Sequence, residues 1–195
     1  MSEKDRIIDA ILEIELHMFL TVNPQPTSSC QEDPESFKRH RRAQFHPWSE
    51  EALGSYLDDL HQAKERGDNL MRRKYARMQG LIGSENTNPL VDEIIRLKMG
   101  WQRAMFRSHP AVMSGARPLT DEGTQAQMTS FETYARGELE TYSARTLTLL
   151  LRDLLAMQVR GESLSEKVYD YLVQASGYAS LAEAEKKLKA RSQEG

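Results

Sequence analysis

The stretch LVDEIIRLKMGWQRAMFRS, Leu90 to Ser108, decides how the chain is read. Its apolar residues Leu90, Val91, Ile94, Ile95, Trp101 and Met105 recur at spacings of three and four, the period of one face of an α-helix. Asn88-Pro89 is a cap-plus-proline start, and Pro110 marks the stop. Lys98 falls in the centre of the apolar arc, with Gln102 close by. The same spacing recurs along the chain between breaks rich in Gly, Pro, Asn and Ser, and no stretch keeps the alternation of a strand.

Toward the N-terminus, Ser2 with Asp5 opens a helix that runs to about Val22. A Pro-rich loop, Asn23 to Pro34, holds Cys30. Asp33-Pro34 starts a helix that Pro47 ends, Ser49 caps another that Gly67 closes, and Asp68 opens a fourth reaching about Ile82. Toward the C-terminus, Pro110 to Met128 is the longest break. Thr129 with Glu132 is expected to cap a long helix toward Arg160, bent near Ser143. Ser163 with Glu166 and Ser180 with Glu183 cap the last two. The pattern predicts an all-α, single-domain bundle of about eight helices over residues 1–189, with a frayed polar tail at 190–195.

Composition narrows the function classes. The 195 residues carry 26 Lys and Arg against 29 Asp and Glu, a net charge of −3, which argues against a strongly basic nucleic-acid or membrane-surface protein. With 39% hydrophobic and 28% charged residues the chain can build a core and is not of disordered composition. One cysteine excludes an internal disulfide framework and fits a reducing compartment. No segment approaches the ~20 apolar residues of a bilayer span, and Asp9, Glu13 and Glu15 interrupt the first helix where a signal peptide would be apolar. A cytoplasmic protein of bacterial or archaeal type is expected.

The informative feature is a set of charges on apolar faces. Glu15 lies amid Ile7, Ile8, Ile11, Met18, Phe19 and Val22; Arg41 lies between Phe37 and Phe45. Lys74 lies among Leu70, Met71, Tyr75, Met78, Leu81 and Ile82; Glu138 shares a face with Phe131, Tyr134, Ala135, Tyr142 and Leu149. One such residue is ordinary, because Lys and Arg stems snorkel. Five helices with the same anomaly predict that both signs meet in a shared network or pocket, since a bare buried charge costs several kcal/mol. Purely architectural ion pairs are the competing explanation.

Other chemistries carry weaker signals. None of His17, His40, His46, His61 and His109 follows a Glu by three, so no di-metal bundle motif is present and no metal site is predicted. No Gly-rich phosphate loop, dinucleotide fingerprint or Gly-x-Ser-x-Gly elbow indicates a cofactor. Cys30 precedes a helix start and the run Lys38 to Arg42, which favours a thiolate and makes it a candidate nucleophile. Arg41 and His46 form an Arg-x4-His pair resembling that of helical ribonucleases, though at a helix C-terminus.

Several phrases together resemble a bacterial family of all-helical proteins, about 200 residues long, that carries only a domain-of-unknown-function label. They are Glu15 with Met18-Phe19, Cys30-Gln31, RRAQFHPWSEE (Arg41 to Glu51), KYARM (Lys74 to Met78), Trp101-Gln102, FETYARGELETYS (Phe131 to Ser143) and GYASLAEAE (Gly177 to Glu185). The resemblance spans nearly the whole chain and implies one domain and no particular activity. It also implies an acidic residue near position 98 or 99 in relatives, where this chain has Lys98 and Met99.

The leading functional expectation is a central pocket for a small anionic metabolite or nucleotide-like ligand, with or without a reaction. Arg41 and Lys74 would hold the anion, with Arg77 at the edge; Tyr75, Trp101 and Tyr142 would form walls, with Gln102 beside them. Glu15 and Glu138 would orient the cations or exchange protons. The alternative is a non-catalytic interaction module, docking a partner or a second copy of the chain. A nucleic-acid-acting domain using the basic run is a weaker third, and no membrane partner is expected.

Overall fold

The computed structural model describes residues 1–22, 33–122 and 129–193. Among them are nine α-helices and no strand. They are α1 (Glu3–Leu20), α2 (Pro34–Phe45), α3 (Glu50–Glu65), α4 (Leu70–Met78), α5 (Leu90–Ser108), α6 (Phe131–Leu139), α7 (Ala144–Val159), α8 (Leu164–Ala175) and α9 (Leu181–Gln193). A short 3-10 turn, Val112–Gly115, follows α5.

Local chemistry sets most of the boundaries. Ser2 and Asp5 form the expected reciprocal cap, and the Asp33, Ser49 and Ser163 side chains each accept a backbone N–H of the first turn. Three starts and stops differ from the sequence expectation. Asn69 rather than Asp68 caps α4, its side chain accepting from the Arg72 N–H, and Ser130 rather than Thr129 caps α6. Helix α4 stops at Met78, because Gly80 takes a left-handed φ of +69° and the Leu81 N–H turns back to the Ala76 carbonyl. Leu81 is therefore exposed and not part of the apolar face.

The expected long helix is two helices. Ser143 caps α7 by accepting the Thr146 N–H, while its own N–H and the Thr146 hydroxyl donate to Asp59 of α3 at 3.0 and 2.7 Å. A continuous helix could not offer the Ser143 N–H to Asp59, so a tertiary partner stabilises the break. At the C-terminus, α9 runs to Gln193 with exposed side chains over 190–193, through the first part of the stretch expected as a tail.

Packing divides the bundle into two sets. Helix α1 packs on α2, α3 and α4, while α5 packs on α6, α7 and α8. The sets meet through α3 on α7, α4 on α6 and α2 on α8. The main core includes Ile8, Ile11, Phe19, Phe45, Leu53, Leu60, Ile94, Leu147 and Leu154. A smaller cluster of Met105, Met113, Val173, Leu181 and Ala184 ties α9 and the 3-10 turn to the end of α5.

The α4–α6 contact depends on Gly137. A Cβ there would lie 3.1 Å from Met78 Cγ and 3.2 Å from the Lys74 carbonyl oxygen. The second neighbour is backbone, so it cannot swing aside. Gly137→Val is expected to cost about 1–3 kcal/mol through overpacking, read by urea denaturation. A neutral result would show that the two helices separate freely.

Candidate functional site

The charges placed on apolar faces meet on the seam between the two helical sets. Glu15 on α1 is fully buried, Arg41 on α2 and Lys74 on α4 are each 3% exposed, and Glu138 on α6 is 7% exposed. Arg41 forks onto Glu15, with Nε donating to Oε2 at 2.7 Å and Nη2 to Oε1 at 2.6 Å. Its Nη2 also lies 2.8 Å from Glu138 Oε1, and Nη1 donates to Gln44 Oε1 at 2.5 Å. Lys74 Nζ donates to Glu138 Oε2 at 2.9 Å. Two phenols complete the carboxylate shells: Tyr56 donates to Glu15 Oε1 at 2.7 Å and Tyr142 to Glu138 Oε1 at 2.6 Å.

Each charge is thereby compensated in a dry setting, as burial requires. Burial pushes the Glu138 carboxyl up, but Arg41, Lys74 and Lys98 outweigh it and hold the group well below the usual carboxylate range. Burial likewise opposes the charge on Arg41, and Glu138 with Glu15 restores it. Lys74 stays above its ordinary value because Glu138 more than offsets burial. Phe45, Trp48, Tyr56 and Tyr142 pack edge to face and tilted around the Arg41 end and exclude water, with Arg41 Cζ 4.6 Å from the Phe45 ring centre.

Lys98 on α5 is different. It is partly buried and near Glu138 and Tyr134, yet among the described residues no carboxylate lies within salt-bridge distance of it. Burial lowers its ammonium pKa, and attraction to Glu138 and Tyr134 offsets only part of this. Tyr134 lies between cations: Lys74 Nζ is 3.8 Å and Arg117 Cζ 4.8 Å from its ring centre. Arg117 reaches there from the segment after the 3-10 turn, and its Nη1 donates to the Thr129 carbonyl at 3.0 Å. That segment is tied to the start of α6, where the Phe131 and Glu132 N–H groups donate to the Pro118 and Leu119 carbonyls at 2.7 and 3.1 Å.

Not every residue singled out from the sequence joins the cluster. Arg77 does not: it pairs with Glu140 at 2.7 Å, beside a small cleft lined in part by Arg73 and Glu85, of about 10 Å³, room for one water. Gln102 is buried in a separate set, donating to the Tyr169 hydroxyl at 3.1 Å and accepting from Ser165 at 3.0 Å. Tyr75 is half-buried and stacks on Phe19 at 5.7 Å, and Trp101 is half-buried against the main core. Arg41 and His46 do not converge, since His46 is exposed beside Tyr171. Cys30 lies outside the described residues. Among the described residues no group of three or more His, Cys, Asp or Glu could hold a metal ion, and no helix is long and apolar enough to cross a membrane.

A protein-family model matches the chain over residues 5–186, almost the full length. The chain belongs to the family described as Protein of unknown function (DUF4125). No curated protein and no solved structure matches the chain significantly. For this DUF4125 chain, then, the site has to be read from its own chemistry. Helical spacing marks Glu15, Arg41, Lys74, Lys98 and Glu138 as interior charges, but it indicates neither Tyr56 as the partner of Glu15 nor Arg117 as the partner of Tyr134. In the sequence Tyr56 shares one helical face with Leu53, Leu57 and Leu60, and that spacing gives its hydroxyl no separate signal. Arg117 sits in a break where spacing carries no directional signal.

Proposed function

We propose that the domain binds a small anion at the Lys98 end of the network, next to Tyr134 and Arg117. One observation carries this reading: three buried or half-buried cations, Arg41, Lys74 and Lys98, meet only two carboxylates, Glu15 and Glu138. The site thus holds one positive charge in excess, on the residue without a carboxylate partner among the described residues. A monoanion such as a carboxylate balances that charge; a dianion overcompensates it unless the exposed Arg117 contributes. Arg41 and Lys74 are not the ligand's partners, because both are almost fully buried and already bonded to the protein's own carboxylates. Their part is to hold Glu138 and Tyr134 in place around Lys98.

The test is thermal melting of the full chain against sodium acetate, a dicarboxylate and inorganic phosphate. Binding to the folded state alone at a hundredfold excess over Kd adds about 2.7 kcal/mol, which raises Tm by roughly 5–10 °C in a chain of this size. Lys98→Met should keep the helical circular dichroism and abolish the rise. A flat panel overturns the proposal. A flat panel with a concentration-dependent dimer favours instead an interaction module whose ion network is architectural, a reading supported by the mutual satisfaction of Glu15, Arg41, Lys74 and Glu138.

A further inference from the structure

We infer that Tyr134 is the proton-exchanging residue of the Lys98 site, passing its phenolic proton to and from an acid bound there. The nature of the bound acid rests on the anion reading above; the choice of residue rests on geometry.

Tyr56, Tyr142 and Tyr134 touch the network, and they face opposite kinds of charge. Tyr56 and Tyr142 donate to Glu15 and Glu138 at 2.7 and 2.6 Å. A carboxylate at that distance keeps the proton on the phenol, and burial together with those carboxylates pushes both phenols well above their ordinary range. Both are also almost fully buried and out of reach of a ligand.

Tyr134 is on the cationic side and only half-buried. The charged groups facing it are Lys74 from α4, Lys98 from α5, Arg41 from α2 and Arg117 from the segment before α6. Against these stands one carboxylate, Glu138, a turn further along α6, whose oxygens are already engaged by Arg41, Lys74 and Tyr142. Four cations around one phenol favour its ionised form. Burial alone would raise the phenol, but Lys74 and Arg41 overcome it and leave Tyr134 below the ordinary range, while burial lowers the neighbouring Lys98 ammonium. Both groups are thereby shifted downward, the direction that brings a phenol toward the range in which it can exchange a proton.

The step needs no co-reactant. The phenolate oxygen forms an O–H bond to a proton of the bound acid, and the bond that held that proton breaks. Its electron pair stays on the ligand, where the Lys98 ammonium stabilises the new negative charge. Return of the proton reverses each change. Glu15 and Arg41 take no part in transfer; they position Glu138.

An alkaline titration of the whole protein, read by near-ultraviolet phenolate absorbance, tests this. Of the seven tyrosines, one is expected to ionise ahead of the rest, below the usual phenol value of about 10. Tyr134→Phe should remove that early component alone. Lys98→Met and Arg117→Met should keep it but move it to higher pH; Arg117 is exposed, so its variant keeps the test valid if Tyr134→Phe folds poorly. Sodium acetate should also move it upward, because a bound anion disfavours a neighbouring phenolate. An early component that survives in Tyr134→Phe, or none in the wild type, overturns the inference. Acetate that raises Tm without moving the Tyr134 titration overturns it while leaving the anion reading intact. Acetate that changes neither overturns the anion reading.

Discussion

Glu138→Ala is expected to destabilise the fold by about 3–5 kcal/mol, because it leaves Arg41 and Lys74 buried with one carboxylate between them. At about 2–4 °C per kcal/mol for a chain of this length, Tm should fall by roughly 6–20 °C. Tyr142 loses its acceptor in the same substitution, which leaves a buried hydroxyl unsatisfied. Urea denaturation measures the loss, and a value under about 1 kcal/mol would show that water reaches the network. The pH dependence supplies an independent check. The Glu138 carboxyl is held below its unfolded value, so its stabilisation is complete above the ordinary carboxylate range near pH 4.3 and is lost as pH falls through the lower folded value. The wild type should therefore lose stability steeply below about pH 4, and Glu138→Ala should lose less over the same interval.

Arg41→Met is the second large effect, again about 3–5 kcal/mol, for the opposite reason. It leaves Glu15, with no exposed surface, supported by the Tyr56 hydroxyl alone. The orphaned group is now an anion, so protonating it removes the penalty. The deficit relative to wild type should shrink as pH is lowered from 7 to 5, whereas a deficit from lost packing would not change. Pairing Arg41→Met with Glu15→Leu should recover a large part of the loss, since removing both members of a buried ion pair is far less costly than removing one. Chemical denaturation at the two pH values distinguishes the cases. A pH-independent deficit that the double variant does not relieve would mean Arg41 matters for its stem and its stacking on Phe45, not its charge.

These effects are large because the network joins the two halves of the bundle. Glu15, Arg41 and Lys74 come from the α1 set, and Glu138 with Lys98 from the α5 set. Their hydrogen bonds are directional, so they select one register of one half on the other, where apolar faces alone tolerate sliding. The same arrangement delivers one surplus cation to the edge of the seam, where Tyr134 and Arg117 are accessible.

By itself the sequence determined the helices and which of their faces turn inward. Caps and breakers act within a few residues, and a period of 3.6 converts spacing directly into direction, so Glu15, Arg41, Lys74 and Glu138 were legible as interior charges. Local signals failed where a distant residue intervened. Asp59 of α3 stabilises the break at Ser143, and a continuous helix had looked equally good without it. Only the tertiary structure decided who pairs with whom: that Arg41 spends its donors on Glu15, Glu138 and Gln44, that Arg77 turns away to Glu140, and that Lys98 keeps a charge unmatched among the described residues. Pairing depends on which helices cross and where, and crossing is set by the whole packed core, which no single stretch of chain encodes.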